Sequence, residues 1–93
     1  MDTKQRGSKT NIFALSVTTT AKELAKENPK RTLLLVCNNG TATVDVLSKQ
    51  TQASGEGIPV LKGETYINDT STAAFWIIAA SGTQDIRVEE DGD

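Results

Sequence analysis

The sequence predicts an all-β domain, a small antiparallel β-sandwich or barrel of about six to seven short strands. Three observations predict it. Short runs rich in Val, Ile, Leu, Thr and aromatic residues recur along the chain. Gly, Asn, Asp and Ser clusters separate these runs at near-regular spacing. The run "QDIRVEE" (84–90) alternates strictly, with Ile86 and Val88 expected inward and Asp85, Arg87 and Glu89 outward.

The elements follow in chain order. Residues 1–10 are polar, contain Gly7 and Ser8, and read as a flexible basic arm. "NIFALSV" (11–17) opens the sandwich domain, expected over residues 11–90, as its first strand. "TTAKELAKENPKR" (19–31) fits two descriptions. Thr20 with Glu23 matches a helix capping box, but Pro29 allows barely two turns, so a short helix near 20–27 and an extended segment both stand.

Residues 33–47, "LLLVCNNGTATVDVL", have the form of a hairpin about Asn39-Gly40. A two-residue turn there pairs Cys37 with Ala42, Leu35 with Val44 and Leu33 with Val46, and puts those six side chains on the core face. Leu34, Val36, Thr43 and Asp45 then occupy the opposite face, covered by a second sheet layer or by a partner. A polar, Gly-rich loop (48–57) precedes "IPVLK" (58–62) and "TYIN" (65–68), which turn about Gly63-Glu64. Pro59 lacks a donor, which confines its strand to a sheet edge or a strand start. "AFWIIA" (74–79) reads as a strand buried on both sides, and residues 91–93 as an acidic tail.

Ninety-three residues make one domain with a small core; Leu, Ile, Val and Phe number 21. Net charge is −2, but residues 1–31 carry seven Lys/Arg against three acids, and residues 32–93 three against nine. This asymmetry fits either an ordinary solvated surface with a basic start and an acidic "EEDGD" tail, or a charge-polarised molecule whose basic arm (Lys4, Arg6, Lys9) docks on an acidic neighbour.

The same inventory excludes much chemistry. There is no histidine and a single cysteine, so neither a His-assisted nucleophile nor a disulfide framework is available. No catalytic, metal-binding or cofactor-binding set is expected, and the protein is not expected to be an enzyme. Cys37, on the expected core face, should be an unreactive small hydrophobe. "NGT" (39–41) and "NDT" (68–70) match glycosylation sequons but read as turns. "SGEG" and "ASGT" lack the spacing of a phosphate cradle. Four aromatics and an acidic balance give no basic groove with stacking platforms, so no nucleic acid is expected. No run approaches a membrane span and the start has no apolar signal core, so synthesis in the cytoplasm and no membrane contact are expected. What remains is surface: Lys4, Arg6, Lys9, Leu34, Val36, Thr43, Asp45 and Pro59 form the candidate partner interface.

Three segments carry a resemblance: "TTTAKELAKENPKRTLLLVCNNGTATVDV", "GIPVLKGETYIND" and "AAFWIIAASGTQDIRVEE". An "NPxR" before a strand, "NNG" in a turn, an apolar-"GE" turn and a closing "AxSGTxDIRVxE" cover roughly residues 18–90. The pattern resembles small β-sandwich virion proteins of tailed bacteriophages, of the capsid decoration or cement type. The resemblance implies a structural protein on the capsid surface that staples neighbouring subunits of the major capsid protein without covalent chemistry, often as a trimer. A tail- or fibre-associated role and a carbohydrate-binding sandwich using Trp76 or Tyr66 are the alternatives.

Overall fold

The computed structural model describes residues 8–93. It is all-β, with eight strands: β1 (Lys9–Val17), β2 (Lys22–Ala25), β3 (Arg31–Asn38), β4 (Val44–Leu47), β5 (Ile58–Val60), β6 (Thr65–Asn68), β7 (Phe75–Ala79) and β8 (Gln84–Gly92). They form two four-stranded antiparallel sheets, β1-β8-β3-β6 and β2-β7-β4-β5. Successive strands pass back and forth between the sheets, and only β4–β5 joins neighbours within one sheet. This winding is that of a jelly roll.

The core lies between the sheets. Leu34 and Val36 of β3, Ile86 and Val88 of β8 and Val17 of β1 meet Val44, Val46, Val60, Ile77 and Ala79 from the second sheet. Each buried Val, Leu or Ile contributes about 1.5–3 kcal/mol on leaving water. Phe13, Leu15, Tyr66 and Phe75 close the flanks of this layer.

The Asn39-Gly40 segment is not a hairpin. β3 and β4 lie in different sheets, and Asn39-Gly40 carries the chain from one to the other. A type I′ turn needs positive φ at both central residues. Among the described residues only Gly55, Gly63 and Gly82 have it. Buried Asn38 and Gln84 build the crossing instead. Asn38 Nδ2 donates to the carbonyls of Ala42 (2.9 Å) and Val60 (2.8 Å), and its Oδ1 accepts the Gly40 amide at 2.9 Å. Gln84 Oε1 accepts the amides of Thr41 (2.7 Å) and Ala42 (3.1 Å). A Cβ at Gly40 would stand 2.2 Å from that same oxygen, so the crossing requires glycine for closeness rather than for φ.

Losing the hairpin inverts β3. Leu34 and Val36 are fully buried, whereas Leu33, Leu35 and Cys37 are half-buried on the outer face. Cys37 is therefore not a core residue.

The segment fitting both helix and strand is extended. β2 pairs with β7, and a bulge between Glu23 and Ala25 turns both Leu24 and Ala25 inward. A two-turn helix pays its nucleation without repaying it, and an edge strand over β7 buries more. β1 begins at Lys9, so the last residues assigned to the arm belong to the sheet. β8 runs to Gly92, so Asp91 and Gly92, expected in a tail, pair with Thr10 and Lys9.

Arg31 pins the opposite end of β3 from Asn38. Its side chain is fully buried; Nε bonds Glu90 Oε2 at 2.9 Å, Nη1 the carbonyls of Ser71 and Ala73, and Nη2 that of Lys26 at 2.6 Å. The guanidinium also lies 5.9 Å from the Phe75 ring centre. A planar five-donor fork suits this convergence of carbonyls, where a lysine would not.

Candidate functional site

The residues expected to meet a partner do not come together. Lys4 and Arg6 lie outside the described residues. Lys9 is exposed at the start of β1. Leu34 and Val36 are corrected outright: they are covered by this chain's own second sheet. Thr43 is half-buried just before β4, its carbonyl accepting the Ala80 amide at 3.0 Å. Pro59 is exposed on β5, at a sheet edge as expected, and pairs with Asp45.

Asp45 is buried on the outer face of the second sheet, where it holds a loop. Its Oδ2 accepts the amides of Gly55 (2.6 Å) and Gly57 (3.2 Å), drawing the 48–57 loop across the sheet. Leu47, fully buried outside the main core, and Ile78 lie on the same face. The loop sits tightly, since a Cβ on Gly57 would stand 2.3 Å from the Val46 carbonyl oxygen.

The first sheet carries no such cover among the described residues. Pairing register places Ile12, Glu89, Leu35 and Ile67 in one row across all four of its strands. Ile12 is 67% exposed and Ile67 60%. Neighbouring rows add Ala14, Arg87, Cys37 and Thr65 on one side, and Thr10, Asp91 and Leu33 on the other. The result is an apolar band crossed by the charged outer side chains of β8. Large aliphatics grouped on an outer sheet face mark a surface suited to bury against protein.

The charges on β8 are tuned by one another. The Asn39 side-chain amide, and then Arg87, hold the Asp85 carboxyl below its ordinary range. The Asp91 carboxyl, two residues along the same face, raises Glu89 by hydrogen bonding and repulsion. Asp91 is 9% exposed, and its Oδ1 has no hydrogen-bond partner among the described residues. Ile12 and Leu35 flank Glu89 on the neighbouring strands, so no cation stands directly beside it in its row.

A cleft of about 260 Å³ opens at one end of the sandwich, lined by Leu47, Gln52, Glu56, Ile58, Tyr66 and Phe75, among others. Trp76 is half-buried on β7 and pairs with Glu23 and Leu47. Among the described residues no group of three or more His, Cys, Asp or Glu is arranged to hold a metal. No helix of the described residues is long and apolar enough to cross a membrane.

Sequence reasoning missed Arg31 and the Ile12–Ile67 row. "NPKR" gives no sign of the first, since a cation beside a turn-forming Pro rarely has a reason to be buried. The row is invisible without the strand order, because its members are scattered along the chain from Ile12 to Glu89.

No family model matches the chain, and no curated protein does. Solved structures do. The stem and receptor-binding domain of spike protein P1 from bacteriophage PM2 matches 88% of this chain with a TM-score of 0.61 and 11% identity. This chain spans 33% of that one. The likeness is one of fold. A Bacillus endospore appendage, from a family of disulfide-linked pili, matches 99% of this chain and 96% of its own at a TM-score of 0.49 and 13% identity.

Proposed function

We propose that this chain is a non-enzymatic structural subunit of a phage virion that docks on a neighbouring protein through the outer face of its first sheet. The observation that carries the reading is the row Ile12–Glu89–Leu35–Ile67, apolar at both ends and uncovered by described residues. The fold likeness to a phage spike domain and the resemblance to tailed-phage virion proteins supply the setting. Within that setting the docking target is the major capsid protein, with copies gathered as trimers at three-fold positions on the shell. Many weak contacts then sum to a firm attachment. Docking on a tail or fibre is the other virion role.

The test is co-sedimentation of the purified protein with shells assembled from the major capsid protein, and separately with tails. Saturable binding to shells is expected, weakened by Glu89→Lys, which changes an outer-face charge and nothing in the core. Failure to sediment with any virion component, or binding indifferent to Glu89→Lys, overturns the proposal.

The end cleft favours a second reading, a carbohydrate-binding sandwich. It brings Tyr66 and Phe75 near Gln52 and Glu56, apolar rings beside polar groups as a sugar requires. Titration with oligosaccharides, followed by intrinsic fluorescence, decides it: no change over a broad panel removes this reading.

A further inference from the structure

Strand edges carry free backbone groups that pair with other chains unless something blunts them. Both edges of the second sheet are blunted. β2 bears a bulge and the charged Lys22 and Glu23, and β5 has three residues with Pro59 at its centre. The first sheet is edged by β1, nine residues in unbroken register, and by β6.

The direction of the free groups can be read from the register. The Asn39 amide donates to the Asp85 carbonyl at 2.9 Å, so the Asp85 backbone points toward β3. Alternation turns Arg87 and Glu89 the same way. Their β1 partners Ala14 and Ile12 must then direct their N–H and C=O groups off the sheet. Lys22 corroborates this: its Nζ donates to the Ser16 carbonyl at 2.9 Å from beyond the β1 edge. On the far side, Asn38 exchanges bonds with Gly63 (2.8 Å) and Glu64 (3.0 Å), so its backbone points toward β6. Leu34 and Val36 follow Asn38, which leaves Thr65 and Ile67, opposite Cys37 and Leu35, with their groups off the sheet. Ile12 and Ile67 are thus the two ends of one row, both largely exposed, each with a backbone donor and acceptor directed away from the sheet and taken up by no described residue.

We propose that copies of this chain join edge to edge, β1 of one antiparallel to β6 of the next, with Ile12 opposite Ile67 of the partner subunit. β1 and β6 run in opposite directions within the sheet, so a second copy in the same orientation meets β1 antiparallel. That register also sets Phe13 beside Tyr66 of the partner subunit, and brings the Lys9 end of β1 to the Asp69 end of β6. Residues 10–16 and 65–68 carry no charge, so the join opposes none. The contact is head-to-tail and closes into a ring or continues, according to the rotation between copies. It goes beyond the docking proposal and needs no shell, so either stands if the other fails.

The experiment is sedimentation velocity on the purified full chain. The parent is expected to form concentration-dependent oligomers. Ile12→Lys and Ile67→Lys, both at exposed sites, should each weaken self-association about tenfold or more. An equimolar mixture of the two variants should form a one-to-one dimer, because each keeps the edge that the other lacks. Ala14→Pro, which removes an outward N–H and no hydrogen bond to β8, should act like Ile12→Lys, with a native circular dichroism spectrum checking that the fixed φ is accommodated. A parent that is monomeric at its highest soluble concentration, or a mixture that stays monomeric, overturns the proposal. So does an Ile67→Lys variant that still self-associates, since that outcome assigns the contact to β1 against β1.

Discussion

The two sheets of this sandwich share one core but treat their outer faces and edges in opposite ways. The second is assembled from strands of three to five residues. Its outer face is roofed by the 48–57 loop, which Asp45 holds through two amides. The first is assembled mostly from strands of eight and nine residues and presents half-buried Leu33, Leu35 and Cys37 beside exposed Ile12 and Ile67. A chain with few strong hydrophobes has spent several of them outside its own core. The second sheet is covered by its own chain, whereas the first leaves large aliphatics uncovered by any described residue.

The contrast breaks most visibly at two adjacent residues of β3. Leu34→Ala removes a fully buried side chain from the core, and about 3 kcal/mol of stability should go with it. Leu35→Ala, one residue along but on the outer face, should cost about 1 kcal/mol or less. Urea denaturation of both variants measures the gap, and equal losses would show that β3 has been assigned the wrong way round.

On the second sheet the roof can be lifted. Asp45→Ala leaves the Gly55 and Gly57 amides without their acceptor and should cost about 2 kcal/mol. Limited proteolysis should then cut within 48–57 in the variant well before the parent, and Trp76 emission should shift to the red. A loop that resists protease as before means that packing, not Asp45, holds it.

The smallest effect is one of protonation. Glu89 binds its proton more tightly in the folded chain than in the unfolded, because Asp91 lies beside it. Such a group favours the fold below its unfolded pKa, and that contribution fades as pH rises through the folded value. Asp85 is shifted the other way, so its contribution is present above its unfolded pKa and fades as pH falls through the folded one. Carbon-detected NMR titration should place Glu89 above the ordinary glutamate range, and Asp91→Asn should bring it back down. An unmoved Glu89 midpoint in Asp91→Asn would exclude Asp91 as the cause.

Much of the fold was legible because period-two patterns and turn residues are local. "QDIRVEE" assigned its inward and outward residues correctly, and Pro59 located an edge before any pairing was known. "NNG" misled because hairpin grammar presumes that neighbours in sequence are neighbours in a sheet. In a jelly roll almost every turn changes sheet, and the turn residues that would close a hairpin serve equally to cross. The error propagated by one residue, enough to exchange Leu34 and Val36 with Leu35 and Cys37. The apolar band of the first sheet was illegible for the same reason, as Ile12 and Ile67 share a face only once β1, β8, β3 and β6 are laid in order.

That order has a bearing on how the chain is born. β1 lies against β8, with Lys9 opposite Gly92 and Val17 opposite Gln84. Among the described strands, the earliest in the chain thus has the latest as its one hydrogen-bonded neighbour in the sheet. β3 also rests on β8, so the first sheet cannot assemble in the order of synthesis. β4 and β5 are the only described strands that are consecutive in the chain and pair with each other. Contacts so distant in sequence fold slowly. β3 with β6, and the whole second sheet, can pair without β8, so the arrival of β8 is the event that joins β1 to the rest of the first sheet.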